Sequence, residues 1–160
     1  QMQRTKALGL LHKQIKKDSA MSRMGLMDQI WTVRKPGENA DPIAHTAEEF
    51  PVSEWQKVAA PCWVDIDQTD VLSCRAAREE DDQKHLCPLQ LGAIRRCIRL
   101  WSNRGDTVLS PFTGIGSEGY VALTEGRKFI GAELKASYFR QAVANLREAE
   151  SRPRDMFGGV

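Results

Sequence analysis

The chain has 160 residues, 41% of them hydrophobic and 28% charged, a composition that suits one compact domain with a real core and excludes wholesale disorder. It contains no apolar run long enough to span a bilayer and no apolar N-terminal stretch of the signal-peptide kind, so a cytoplasmic protein with no membrane partner is expected. The formal net charge of +2 hides a segregation. Residues 1–36 carry eight Lys/Arg against two acids, residues 37–82 three against twelve, and residues 83–160 twelve against seven. Two basic blocks around an acidic one fit a protein that meets a polyanion with selected surfaces. Arg4, Lys6, Lys13, Lys16, Lys17 and Arg23 are the candidate phosphate contacts, since little acid neutralises them. The four cysteines, Cys62, Cys74, Cys87 and Cys97, show no CxxC spacing, so free thiols and no metal site are expected.

In chain order, residues 2–17 read as a helix with Leu8, Leu11 and Ile15 on one side and lysines on the other. A turn at 19–27 precedes a predicted strand, Gln29 to Val33, which Lys35-Pro36-Gly37 stops. Residues 37–50 are polar and turn-rich, and Pro51 to Val58 fits one short helix carrying Trp55. Cys62 to Ile66 reads as a strand, followed by a charged connector over 67–84. Pro88 is placed as the first residue of a helix. That helix carries Leu91, Ile94, Cys97, Ile98 and Trp101 on one face. Trp63 and Trp101 are assigned to the core. Asn103 to Asp106 is a turn, Ala136 to Glu150 a final amphipathic helix, and Ser151 to Val160 a frayed end.

Between the last turn and the last helix lies the most informative stretch, DTVLSPFTGIGSEGYVALTEGRKFIGAE, Asp106 to Glu133. A short apolar run meets a glycine turn at Gly114, Gly116 and Gly119; a helix-like segment and a second apolar run ending in Glu133 follow. Strand, glycine turn, helix and strand with an acid at its tip form an α/β arrangement for an adenosine-bearing cofactor. The glycines admit a close backbone approach and the acid accepts from ribose hydroxyls. Read literally, GIGSEG is a GxGxxG string. A dinucleotide domain, however, needs a second mononucleotide half, and only one helix and a tail follow Glu133. Glu118 inside the turn also sits badly beside a pyrophosphate. A cofactor carrying a sulfonium and an ammonium would welcome it, so the charge favours S-adenosylmethionine over a nicotinamide or flavin dinucleotide.

These residues resemble the amino-methylating DNA methyltransferases, which act on adenine N6 or cytosine N4, in the form carried by phages and prophages. SPFTGIGSEG at 110–119 is similar to their D-P-F-x-G-x-G-T cofactor motif. Trp63 to Ile66 resembles their W-x-D-I strand, Lys84 to Leu89 the segment that wraps the methionine end of the cofactor, Asn103 to Leu109 N-x-G-D-x-V-L, and Gly126 to Glu133 G-R-x-F-I-G-I-E, with Tyr138 in the following helix. The likeness covers 62–150 well and 1–61 loosely. It implies a Rossmann-like S-adenosylmethionine-dependent methyltransferase fold. It also implies that Phe112, Thr113, Gly114, Ile115, Gly116 and Ser117 line the methionine and ribose, and that Glu133 holds the ribose hydroxyls. Leu134 and Lys135 would lie beside the adenine, and His85, Cys87 and Pro88 would close over the amino-acid end. Ser110 stands at the cofactor position where the family carries Asp, and Glu118 is the candidate to compensate.

Methyl transfer to an exocyclic amine needs a pocket for an extruded base, which in this family is built on an Asp/Ser/Asn-Pro-Pro-Tyr/Phe tetrapeptide. No Pro-Pro occurs in the chain, and Pro61-Cys62, the only Pro-Cys, lies outside any familiar surrounding for C5 chemistry. The expectation is therefore an incomplete fold, the C-terminal part of such an enzyme, with no catalytic residue of its own. Residues 1–36 would end the catalytic half, 37–82 form a connector or target-recognition region, and 83–160 hold the cofactor. Expected partners are double-stranded DNA and the remaining catalytic region. Open sheet edges make a homo-oligomer a further expectation. A dinucleotide-binding module and a non-catalytic DNA-binding domain remain as alternatives.

Overall fold

A computed structural model of the chain describes residues 28–74, 77 and 88–152. The predicted helix over 2–17, the turn at 19–27 and all but the first two residues of the frayed end lie outside the described residues. The chain divides into two compact units, residues 1–42 and 43–160. In the first, the expected strand Gln29 to Val33 does not form: residues 28–35 carry no ladder, and Trp31 is 83% exposed. Alternating apolar residues make a strand only where a neighbour supplies hydrogen bonds, and none does so here among the described residues. The bend after it is real, with Gly37 at φ 114°.

The second unit opens with helix α1, Val52–Val58. It begins one residue later than the sequence reading of Pro51 to Val58, with Pro51 as its N-cap, and the Pro51 carbonyl accepts the N–H groups of Glu54 and Trp55, each at 2.9 Å. The expected strand Cys62 to Ile66 is also corrected, because no ladder forms there. Side chains hold this segment instead. Trp63 Nε1 donates to Val58 O at 2.8 Å, and Arg96 grips both oxygens of Asp65 at 2.9 and 2.7 Å. That guanidinium holds the Asp65 carboxyl below its ordinary range.

Helix α2 spans Leu91–Trp101, so Pro88 is not its first residue. The Leu91 N–H is fixed instead by Asp70 O at 2.8 Å, a contact that sequence-local capping rules do not contain. Leu91, Ile94 and Ile98 are buried as the periodicity predicts. Cys97 and Trp101 lie at the margin of that stripe, with Trp101 44% exposed, so neither Trp63, half-buried, nor Trp101 is a core residue.

Strand β1 (Thr107–Ser110), helix α3 (Ser117–Thr124), strand β2 (Lys128–Gly131) and helix α4 (Ala136–Ser151) follow. The strands run parallel in the register Thr107↔Lys128 to Ser110↔Gly131, the βαβ unit that the sequence predicts. Val108 and Phe129 face a core formed by Leu91, Ile94 and Ile98 of α2, Tyr120, Val121 and Ala122 of α3, and Ala149 of α4. Their neighbours Leu109 and Ile130, paired in register, face the other way, 69% and 60% exposed. Arg127 is buried just before β2. It donates to Ser102 Oγ at 3.1 Å, Ser102 O at 2.7 Å and Glu125 O at 2.6 Å, tying the end of α2 to the turn before β2. Burial lowers its pKa, and these acceptors supply the hydrogen bonds that water would have made.

Helix α3 lies so close to its neighbours that a Cβ on Gly119 would stand 2.6 Å from Leu146 Cδ2 and 2.6 Å from Phe129 Cδ1. Gly119→Ala gains helix propensity of about 1 kcal/mol. It also forces a ring and a leucine apart in a packed core, where overpacking costs about 1–3 kcal/mol. A net loss of stability is expected in urea unfolding. Unchanged or raised stability would show that this interface relaxes freely.

Candidate functional site

The C-terminal ends of β1 and β2 lie side by side, and the pairing runs one step beyond them. Ala132 N–H donates to Ser110 O and Thr113 N–H to Ala132 O, both at 3.0 Å. The chain leaving β1 is thereby kept against the chain leaving β2. It then turns: Thr113 Oγ1 donates to Ser110 O at 3.2 Å, Gly116 N–H donates to Thr113 O at 2.8 Å, and Gly116, at φ 87° and ψ 26°, opens α3. A left-handed φ of this kind favours glycine.

Glu133 closes the arrangement. Its Oε2 accepts the Gly114 N–H and its Oε1 the Lys135 N–H, each at 2.8 Å. A carboxylate offers about four lone-pair sites. With one per oxygen taken by the backbone, each oxygen keeps one to accept a further donor. The group is therefore pre-oriented to take a pair of adjacent hydroxyls, the pattern that a ribose presents. On either side Phe112 and Leu134 are exposed, while Lys135 Nζ sits 4.6 Å from the Tyr138 ring centre.

The structure brings Ser110, Phe112, Thr113, Gly114, Ile115, Gly116, Ser117, Glu133, Leu134 and Lys135 together at these tips. Ser110, Thr113, Ile115, Gly116 and Ser117 are buried, and Gly114, Glu133 and Lys135 are half-buried. Pro88 is half-buried three residues ahead of α2. His85 and Cys87 lie outside the described residues, as do all six basic candidates, Arg4, Lys6, Lys13, Lys16, Lys17 and Arg23. Glu118, in the first turn of α3, has its carboxyl pushed up by burial, against a smaller opposing backbone hydrogen bond.

Sequence reasoning missed Asn145, Gln141 and Ala142 on α4. Asn145 Nδ2 donates to Ile115 O at 2.7 Å, and a Cβ on Gly116 would stand 3.2 Å from Ala142 Cβ. No local signal marks residues that act across 30 positions of chain. A small cavity, about 40 Å³, opens at the opposite end of the strands, lined among others by His45, Phe50, Arg99, Asn103, Arg104 and Arg127. It lies away from the glycine turn. Among the described residues no three His, Cys, Asp or Glu side chains gather to hold a metal.

A sequence model of the N6_N4_Mtase family, described as DNA methylase, matches residues 8–144. Over 53 residues the chain is 43% identical to the DNA adenine methyltransferase YhdJ of Escherichia coli K12, covering 33% of this chain and 18% of that protein. It is 29% identical over 119 residues to the type II methyltransferase M.BglI of Bacillus subtilis, covering 74% of this chain and 30% of that one. In three dimensions it resembles a DNA modification methylase of Thermus thermophilus, TTHA0409, whose assignment as such is itself provisional and which was solved in complex with S-adenosyl-L-methionine. That likeness has a TM-score of 0.55 and 26% identity, over 74% of this chain and 42% of the other. The chain thus spans less than half of that structure and less than a third of the two curated relatives.

The Glu118 environment has a pH signature. A carboxyl whose folded pKa is raised destabilises the fold where it is ionised. The penalty is relieved as pH falls through the folded pKa towards the ordinary value. Glu118→Gln is therefore expected to raise the melting temperature at pH 7 relative to the parent chain, and the gain should shrink as pH approaches the ordinary carboxylate range. A gain independent of pH would contradict the assignment.

Proposed function

Because this chain belongs to the N6/N4 DNA methylase family, we propose that it is the S-adenosylmethionine-holding part of a DNA methyltransferase acting on adenine N6 or cytosine N4. The observation that carries this reading is the Glu133 carboxylate. It stands at the tip of β2, oriented by the Gly114 and Lys135 N–H groups, with a lone pair on each oxygen left for the ribose hydroxyls.

When bound, the cofactor supplies a methyl group on a sulfonium, open to in-line attack by an exocyclic amine. The residues of this chain bind and orient the donor, a contribution of proximity and alignment rather than of covalent catalysis. Glu133 takes the ribose, Leu134 and Lys135 flank the adenine, and the backbone of Thr113 to Ser117 approaches the methionine portion beside Phe112. Ser110 places a neutral group where the resemblance expects a carboxylate. His85, Cys87 and Pro88 are assigned to the amino-acid end. Residues Arg4, Lys6, Lys13, Lys16, Lys17 and Arg23 are proposed as contacts to the backbone of double-stranded DNA, where such cations act without reading sequence.

The residues that grip the acceptor base are proposed to lie in polypeptide beyond these 160 residues, because the Pro-Pro tetrapeptide is not among them. The exposed pair Leu109 and Ile130 supports this division, since parallel sheets are covered on both faces. Residues 1–36 are assigned to the end of the catalytic half, 37–82 to a connector or recognition region, and 83–160 to the donor half.

Titration calorimetry of the full chain with S-adenosylhomocysteine should show saturable binding, and titration with NAD should show none. Hydrogen bonds to a charged acceptor contribute about 1.5–3 kcal/mol each, so Glu133→Ala should weaken binding by roughly a hundredfold or more. Binding of NAD instead, or an unaffected Glu133→Ala variant, would overturn the cofactor assignment. Separately, the purified chain should transfer no methyl group from labelled S-adenosylmethionine to DNA. Robust transfer would place the acceptor site within it.

A further inference from the structure

We propose that Asn145 is a positioning residue for the glycine turn. On this view it sets the orientation of the Ile115–Gly116 peptide and, through it, the Gly114 N–H that anchors Glu133. The proposal rests on the cofactor reading above and names a residue that the family's motifs do not point to. Asn145 lies in the middle of α4 and is 8% exposed. Its Nδ2 donates to Ile115 O at 2.7 Å, and its Oδ1 accepts from Gln141 Nε2, one turn earlier on the same helix, at 2.9 Å. The direction of the amide is not arbitrary. A backbone carbonyl can only accept, so the nitrogen must face Ile115, and Gln141 then donates to the oxygen.

Both sides of one peptide plane are thereby held. Its carbonyl, on Ile115, is fixed by Asn145, and its N–H, on Gly116, by Thr113 O at 2.8 Å. The Thr113–Gly114 plane, separated from it by one peptide, is held as well. Thr113 O is that same acceptor, and the Gly114 N–H on the far side of the peptide meets Glu133 Oε2 at 2.8 Å. A glycine at φ 55° followed two residues later by one at φ 87° has many other conformations open to it. The amide of Asn145 selects one of them from outside the turn. Ala142, one turn before it, closes the same interface by packing on Gly116. An asparagine that served only to fill space would be replaceable by leucine, its near isostere. One that positions the turn would not, because the Ile115 carbonyl would lose its donor.

The test uses the full chain and two measurements, S-adenosylhomocysteine affinity and residue-resolved amide hydrogen exchange. In Asn145→Leu, affinity should fall about tenfold, the scale of one hydrogen bond. Exchange at Gly114 and Gly116 should rise at least as much, while Lys128, whose N–H is held by Asp106 O at 2.7 Å, and Ile130 keep their rates. Gln141→Ala, which removes only the partner of Asn145, should give a smaller change at the same two glycines, and it decides the matter if Asn145→Leu does not fold. Unchanged exchange at Gly114 and Gly116, or a rise shared equally by the strand amides, would overturn the positioning role. If the parent chain fails to bind S-adenosylhomocysteine, the cofactor reading falls, and the exchange pattern still decides whether Asn145 orders the turn.

Discussion

The arrangement depends on missing side chains at the junction of α3, α4 and β2. Where Gly119 faces Phe129 and Leu146, and where Gly131 faces Thr113 and Phe129, a Cβ would collide with its neighbour, and where Gly116 faces Ala142 it would be tightly crowded. Without one, α3 can lie directly on the strand and the last helix. Only then does the pairing of the two strands continue to Thr113 and Ala132, and only then does the Gly114 N–H arrive at the Glu133 carboxylate. The glycines thus matter here for close packing at least as much as for backbone freedom. In the GxGxxG string, Gly116 and Gly119 record that packing, while Gly114, at φ 55° with open space where a Cβ would stand, records the turn.

Two acids share the neighbourhood in opposite circumstances. Glu133 is tied by two main-chain donors and keeps lone pairs to spare. Glu118 is half-buried, and burial works against its charge. The first is a fixed acceptor for neutral hydroxyls, and the second is a carboxyl whose ionised form gains from any positive group brought near it. At the far end of the strands the charges are paired: Arg127 is buried, and around the small cavity Arg99 and Arg104 meet Glu125 and Glu49. The two ends of the sheet therefore suit different chemistry. The tip end, with lone pairs left on the Glu133 carboxylate, suits a ligand that presents hydroxyls.

How much of this the sequence discloses depends on how local each feature is. The βαβ unit, the glycine turn and Glu133 are legible because periodicity, turn chemistry and the strand-end acid all lie within 28 consecutive residues. The start of α1 is legible to within one residue for the same reason, with Pro51 as its N-cap. Strands at Gln29 to Val33 and Cys62 to Ile66 are not, because a β-pattern describes a surface and says nothing about a neighbour to pair with. Trp63 instead bonds a helix end, and Asp65 pairs with Arg96. Helix α2 begins at Leu91 rather than Pro88 because its first N–H is held by Asp70. Asn145 and Arg127 act on partners 30 and 25 residues away, distances at which a single sequence carries no pairing signal.

The proposed cofactor site is the pair of strand tips, with the ribose on Glu133. The most direct measurement is an amide-resolved NMR titration of the isotope-labelled chain with S-adenosylhomocysteine. Saturable shifts are expected at Gly114, Ile115, Gly116, Leu134 and Lys135, with Asn103, Arg104 and Glu125 at the opposite end of the sheet unmoved. Shifts concentrated at that opposite end, or no saturable shift at the tips, would contradict it.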